Sequence, residues 1–276
     1  MNRARSAVAV VLWLALCVAT SGPAQAQVRA VFAAGGVPTE PGDAAWKSAP
    51  SKTLALSQQL ISSPVGGGSV KEVAVRALHD GDRLGIRLEW KDGSADRAVG
   101  VDTFRDAAAV GFPVSASDTP ASPFMGDPAH PVNIWQWTAD LEAAAKGRGT
   151  FAEQYPHTPG VWYFPQDANV RREVRAWRGH DPVVEFVATG WGTLQRRPTV
   201  NVCAASHHAK KRWSVVLWRA LDTGNPDDAA FKPGETSQLI VAVWDGAEQE
   251  VNGRKSVTLG WVPFELDATV AAHAAR

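Results

Sequence analysis

Glu72-Val73-Ala74-Val75-Arg76-Ala77-Leu78-His79, then Asp80-Gly81-Asp82, then Arg83-Leu84-Gly85-Ile86-Arg87-Leu88-Glu89-Trp90 is a single pattern written twice around a glycine. Val73, Val75 and Ala77 alternate with Glu72, Ala74 and Arg76, and Leu84, Ile86, Leu88 and Trp90 alternate with Gly85, Arg87 and Glu89. A period of two sends successive side chains to opposite faces of an extended chain, so this stretch is predicted to be a β-hairpin with one buried face. Further strand signals stand at 183–188, 199–204, 213–217, 239–244 and 257–262, separated by clusters of Gly, Pro, Asn and Asp. Many short strands with such turns predict an all-β chain, an antiparallel β-sandwich with short helices and long loops.

Two stretches, 102–110 and 138–147, read as short helices, the second rich in alanine and charge. Between them, 112–131 is a long loop rich in Pro, Ser and Ala, of the kind that serves a site or is disordered. Residues 147–167 carry Tyr155, Trp162, Tyr163 and Phe164 among prolines and read as an excursion packed on the sandwich. No internal repeat or domain linker interrupts the pattern.

At the N-terminus, Arg3 and Arg5 precede an apolar run over 7–20, and Ala24-Gln25-Ala26 closes it. That run is short for a membrane span and has the order of a secretory signal, so 1–26 is read as a removable leader and 27–276 as one domain. A lipoprotein anchored at Cys17 is the rival reading, but Leu16 stands where a small residue is wanted. No later run is long enough to span a membrane.

The chain has 28 basic and 28 acidic residues, and no strongly basic surface for nucleic acid is implied. Of its 2 cysteines only Cys203 lies beyond the leader, which excludes an internal disulfide, a C-x-x-C zinc site and the C-x-x-C-H attachment of a c-type haem. Motifs for nucleotide phosphates, a serine nucleophile elbow and H-E-x-x-H are absent from the sequence. The pair His207-His208 lies in a polar stretch read as a hairpin tip, because neighbours on a strand face opposite ways and make a poor metal pair.

Met125 is the sole methionine after the initiator, set in Ser122-Pro123-Phe124-Met125-Gly126-Asp127-Pro128. It either fills a gap under the loop or offers a thioether, a soft ligand suited to haem iron. Lys255, in Gly253-Arg254-Lys255-Ser256, reads by itself as an ordinary basic turn, and it could ligate a metal only as the neutral amine. Trp135 and Trp137 flank Gln136 beside the candidate loop and are candidates either for the core or for the walls of a crevice. Trp46, Trp90, Trp218, Trp244 and Trp261 read as core or sheet-edge packing.

Taken together, several stretches resemble the haem-binding gamma-subunit family of ethylbenzene dehydrogenase, dimethyl sulfide dehydrogenase, selenate reductase and chlorate reductase. They are Asp43-Ala44-Ala45-Trp46, the hairpin from Asp80 to Trp90, Asp106-Ala107-Ala108-Ala109-Val110-Gly111-Phe112-Pro113, Pro123-Phe124-Met125-Gly126, Val132-Asn133-Ile134-Trp135-Gln136-Trp137, Val241-Ala242-Val243-Trp244-Asp245-Gly246 and Gly253-Arg254-Lys255-Ser256. The resemblance implies a sandwich related to cytochrome and carbohydrate-binding-module folds. It also implies one non-covalent haem b between Met125 and Lys255, with His130 as the alternative to Lys255. Phe124, Trp135 and Trp137 would line the cofactor. The same resemblance implies a periplasmic electron-transfer subunit that is not itself an enzyme. Its partners would be an iron–sulfur subunit, a molybdopterin catalytic subunit and a c-type cytochrome. A carbohydrate-binding module without haem is the second reading. The stretches 147–167 and 205–212 depart from the family pattern.

Overall fold

The computed structural model describes residues 27–61, 63–115, 122–146 and 182–268. The leader read at 1–26 and the excursion read at 147–167 lie outside the described residues. The strands are β1 (Val28–Phe32), β2 (Lys52–Ala55), β3 (Ser57–Gln58), β4 (Glu72–His79), β5 (Arg83–Lys91), β6 (Ala107–Pro113), β7 (Val132–Thr138), β8 (Val183–Ala188), β9 (Gln195–Arg196), β10 (Cys203–Ala209), β11 (Arg212–Ala220), β12 (Thr236–Trp244), β13 (Ser256–Val257) and β14 (Val262–Leu266). Among the described residues one α-helix, α1 (Ala139–Ala145), follows β7 directly, where the sequence places it.

The strands make two layers joined by a shared member. The first runs β10-β11-β5-β4-β1-β14-β12 and the second β12-β6-β7-β8-β9, with β13 on the other side of β12 and β3 beyond it. Strand β12 serves both because its first half, Thr236 to Leu239, pairs with β14 and its second half, Ile240 to Trp244, pairs with β6. The opening hairpin is β4 and β5, in antiparallel register from Ala74↔Glu89 to His79↔Leu84. Strand β1 departs from the expected antiparallel arrangement, since it is parallel to both β4 and β14. The long connection through β2 and β3 makes that crossover possible.

The core lies between the layers. Val73, Val75, Ile86, Leu88 and Trp90 of the hairpin face Val110, Phe112, Trp135, Trp137, Val241 and Val243 of the second layer. Trp137 meets Trp213 edge to face with centroids 4.9 Å apart, and Phe112 lies 4.9 Å from both Trp135 and Phe231. Such pairs add about 0.5–1.5 kcal/mol beyond the area they bury. A polar group crosses the same interior. Arg219 of β11 donates from Nη1 to Glu185 Oε1 of β8 at 2.9 Å and to Asn133 Oδ1 of β7 at 3.0 Å, and all three residues are buried.

Three expectations about elements need correction. Residues 102–110 are not a helix: Ala107 to Val110 belong to β6, hydrogen-bonded to β7 and β12 on its two sides. Alanine prefers helix by only tenths of a kcal/mol per residue, and two flanking ladders override that. The strand read at 199–204 is displaced. Its core is Cys203–Ala209, so His207 and His208 lie within β10 opposite Ser214 and Trp213, and the turn is Lys210-Lys211. The segment 257–262 is two short strands, β13 and β14, parted by 258–261.

Candidate functional site

Small residues make the floor of the site. On β6 the side chains of Ala108, Val110 and Phe112 enter the core, so Ala107, Ala109 and Gly111 face outward. Alongside them lie Ala242 and Ile240 of β12 and Ile134 and Gln136 of β7. An outer sheet face normally carries polar side chains. Here it is apolar and shallow, and loops rise around it to enclose a groove of about 500 Å³. That volume is in the range of small-molecule and cofactor sites, and the apolar lining with a few polar groups fits the same class.

Two of the walls carry the donor residues singled out in the sequence. The 123–125 loop brings Phe124 and Met125 to the groove beside β7 and β8. Met125 has φ 78, a left-handed backbone conformation that costs a residue with a Cβ about 1 kcal/mol or more. The surroundings hold it there: Gly190 N donates to Met125 O at 2.8 Å, and Gly126 N donates to Ser122 O at 2.9 Å. On the far flank, Lys255 enters just before β13, the strand on the other side of β12. Its Nζ lies 5.2 Å from the centre of the Trp244 ring. Burial pushes the Lys255 amine below its ordinary value, and among the described residues no carboxylate pairs with it.

The backbone around Lys255 is fixed by a triple glycine to which the sequence pattern attaches no partner. Lys255 N donates to Gly66 O at 3.2 Å, and Gln59 N donates to Lys255 O at 3.3 Å. A Cβ built on Gly67 would lie 2.2 Å from Lys255 N, and Gly67 has φ +86. Only glycine fits both constraints. Gly67→Ala is therefore expected to cost on the order of 2–4 kcal/mol. Gly93→Ala, where nothing lies within 4 Å, should stay within about 0.5 kcal/mol. Urea denaturation of the two variants checks this, and equal midpoints would show that the backbone approach under Lys255 is not tight.

Trp135 and Trp137 do not wall the groove. Both are wholly buried on the core side of β7, and Gln136 between them is the residue that lines the groove. Their indole nitrogens are satisfied inside, Trp135 Nε1 by Asn133 Oδ1 at 2.9 Å and Trp137 Nε1 by Glu142 Oε2 of α1 at 3.1 Å. Trp-Gln-Trp fits either assignment because both faces of this strand are covered, so alternation alone could not choose. Trp244, read as core or edge packing, does pack in a buried cluster with Ala107, Ala109, Ala242 and Val257, and it lines the groove as well. His130 is not among the groove residues. Its Nδ1 lies 2.9 Å from Asp127 Oδ1 within its own turn. Phe186, Trp191 and Leu194 complete the apolar wall beyond Met125, and nothing in their local sequence signals that role.

The sandwich thus carries an apolar groove on one outer face, flanked by a thioether and by an amine that has no carboxylate partner among the described residues. The chain belongs to the ethylbenzene dehydrogenase family, whose model matches residues 43–256. It is 31% identical over 264 residues to the chlorate reductase subunit gamma of Ideonella dechloratans, covering 91% of this chain and 93% of that one. It is also 28% identical over 276 residues to a protein of Haloferax mediterranei described as a respiratory nitrate reductase haem subunit, covering 95% and 83%. Among solved structures, it is similar to a family 9 carbohydrate binding module of Caldicellulosiruptor kristjanssonii in complex with cellotriose. That match has a TM-score of 0.44 and 9% identity, and it covers 91% of this chain and 98% of that one.

Proposed function

We propose that this chain is the gamma subunit of a molybdenum oxidoreductase and holds one haem b, without covalent attachment, in the groove on the outer face of the second layer. Met125 and Lys255 are the residues that would hold its iron. The observation that carries this reading is the meeting, on one small-residue floor, of a methionine held at positive φ and a lysine whose amine is desolvated without a carboxylate partner. The donor set suits the group: a thioether is soft, and burial already lowers the cost of presenting Lys255 as the neutral amine a metal requires.

When bound, the haem supplies a one-electron couple. Phe124, Ile134 and Trp244 exclude water from the groove, and Ala107, Ala109 and Gly111 leave room for a flat macrocycle. With its iron held by Met125 and Lys255, the haem would serve electron transfer, and the substrate chemistry would belong to a separate molybdopterin subunit. An iron–sulfur subunit and a periplasmic c-type cytochrome are the proposed electron partners. Residues 1–26 are the proposed export leader. Among the described residues no helix is long and apolar enough to cross a membrane.

The test is an absorption spectrum, oxidised and dithionite-reduced, of the periplasmically expressed protein, with a pyridine haemochrome assay. A six-coordinate low-spin b-type spectrum near one haem per chain is expected. Exported protein that carries no haem under adequate haem supply would overturn the reading and turn attention to sugar ligands.

A further inference from the structure

At one end of the sandwich the chain gathers Asp92, which follows β5, Asp96, Asp106, which precedes β6, and Asp245, which follows β12. One carboxylate oxygen from each lies within 4.8 Å of the others. Asp92 is 4% exposed and Asp106 is fully buried. Among the described residues none of the four is ion-paired with a lysine or arginine. Two other buried acids are: Glu185 meets Arg219 at 2.9 Å, and Asp228 meets Arg197 at 3.6 Å. His208 interacts with the Asp92 charge, and its Nε2 lies 3.1 Å from the Asp92 backbone carbonyl.

A second observation points into the cluster. Asp92 Oδ1 accepts from Ser94 N at 3.1 Å, but Asp92 Oδ2 is buried with no hydrogen-bond partner. The Trp90 indole, whose Nε1 is likewise buried short of a full hydrogen bond, lends the Asp92 carboxylate some support, but a buried carboxylate gathered with three more is costly, and a metal ion is the partner that removes the cost. The rest of the cluster is pre-organised. Asp106 accepts from Gly246 N at 2.8 Å, Asp96 N at 2.7 Å and Trp213 Nε1 at 2.9 Å, and Asp96 accepts from Ser94 Oγ at 2.6 Å. Burial pushes Asp106 up to about 7 and Asp245 up to about 6, with Asp92 adding to both, a repulsion that a cation would cancel.

We propose that Asp92, Asp96, Asp106 and Asp245 bind a calcium-type divalent cation that fastens the two layers of the sandwich at this end. All ligands are oxygens, which selects a hard ion. Oxygens on opposite sides of an ion stand at most twice the metal–oxygen distance apart, about 4.6–5.2 Å for calcium and about 4.0–4.2 Å for magnesium. The spread within 4.8 Å fits calcium without rearrangement. Two loops leave the site and wall the groove: 96–106 contributes Val99, Phe104 and Arg105, and 245–255 contributes Val251 and Lys255. They already meet closely, since a Cβ on Gly246 would lie 2.2 Å from Phe104 O. The ion would thus hold the segment that presents Lys255. The site itself stands whether or not the groove binds haem.

The test uses the full chain as purified, stripped with EDTA and then given calcium chloride or magnesium chloride. Calcium is expected to bind near one per chain by elemental analysis. It should raise the thermal midpoint by roughly 5–10 °C at a hundredfold excess over its Kd, with a smaller response to magnesium. Asp245→Asn and, separately, Asp96→Asn should melt cooperatively in EDTA and show no calcium response. A wild-type midpoint indifferent to calcium would overturn the proposal, as would variants that keep the full response. An equal response to magnesium would overturn the assignment to calcium. Neither readout depends on haem.

Discussion

A Lys255→Ala chain will fold and will lose the low-spin haem spectrum. The side chain has no carboxylate partner among the described residues, so truncation strands no buried opposite charge, and the cation–π interaction with Trp244 is worth about 1–2 kcal/mol at a partly buried site. Relief of the desolvated amine offsets the removal of that interaction. Stability should therefore stay within about 1 kcal/mol of the parent. Haem retention has no such compensation. Affinity should fall by at least the roughly 10–100-fold that weaker perturbations of a metal site produce, and any haem that remains should change spin state. Met125→Ala should behave alike, since alanine meets the same positive φ and the thioether alone is removed. An unchanged spectrum in either variant removes that residue from the iron. Haem loss in His130→Ala, with Lys255→Ala unaffected, would move the second ligand to His130 despite its bond to Asp127.

Arg219→Leu should have the largest effect on stability. The guanidinium connects β11 of one layer to Asn133 and Glu185 of the other, and it also donates from Nη2 to Ala229 O. Arg219 and Glu185 have side chains that are 0% exposed. Leucine replaces the bulk but leaves Glu185 charged and enclosed, at a cost of about 3–5 kcal/mol. That is a large share of the roughly 5–15 kcal/mol by which domains are stable. The urea midpoint should drop accordingly, and removing the partner as well, in Arg219→Leu/Glu185→Leu, should recover part of the stability. A single variant within about 0.5 kcal/mol of the parent would show that the interior admits water at this pair.

The residues of the site differ in how far the sequence reveals them. Met125 and Lys255 stand out through the ordered resemblance, because P-F-M-G and G-R-K-S are short motifs with fixed neighbours; spacing alone favours a gap filler and a basic turn. The role of Gly66-Gly67-Gly68 is not legible in the chain, because its partner, Lys255, is remote in sequence. The acidic cluster is harder still, since Asp92, Asp96, Asp106 and Asp245 are ordinary loop aspartates until β5, β6 and β12 bring them together.

What the chain determines by itself is local and periodic. The alternation of 72–90 specifies a hairpin with one apolar face, Asp43 caps the short 3-10 turn that buries Trp46 by accepting from Ala45 N at 2.8 Å, and 139–145 forms its helix. What only the tertiary structure decides is which face of a strand looks where. Ala107 to Pro113 has no polar side to mark the surface, so its partners on both edges, and not alanine's preference, make it a strand. Its register then puts Val110 and Phe112 in the core and Ala109 and Gly111 under the groove. Trp135 and Trp137 follow the same register inward. A strand covered on both faces carries no amphipathic signal, and long-range pairing is the physical quantity that sets its orientation.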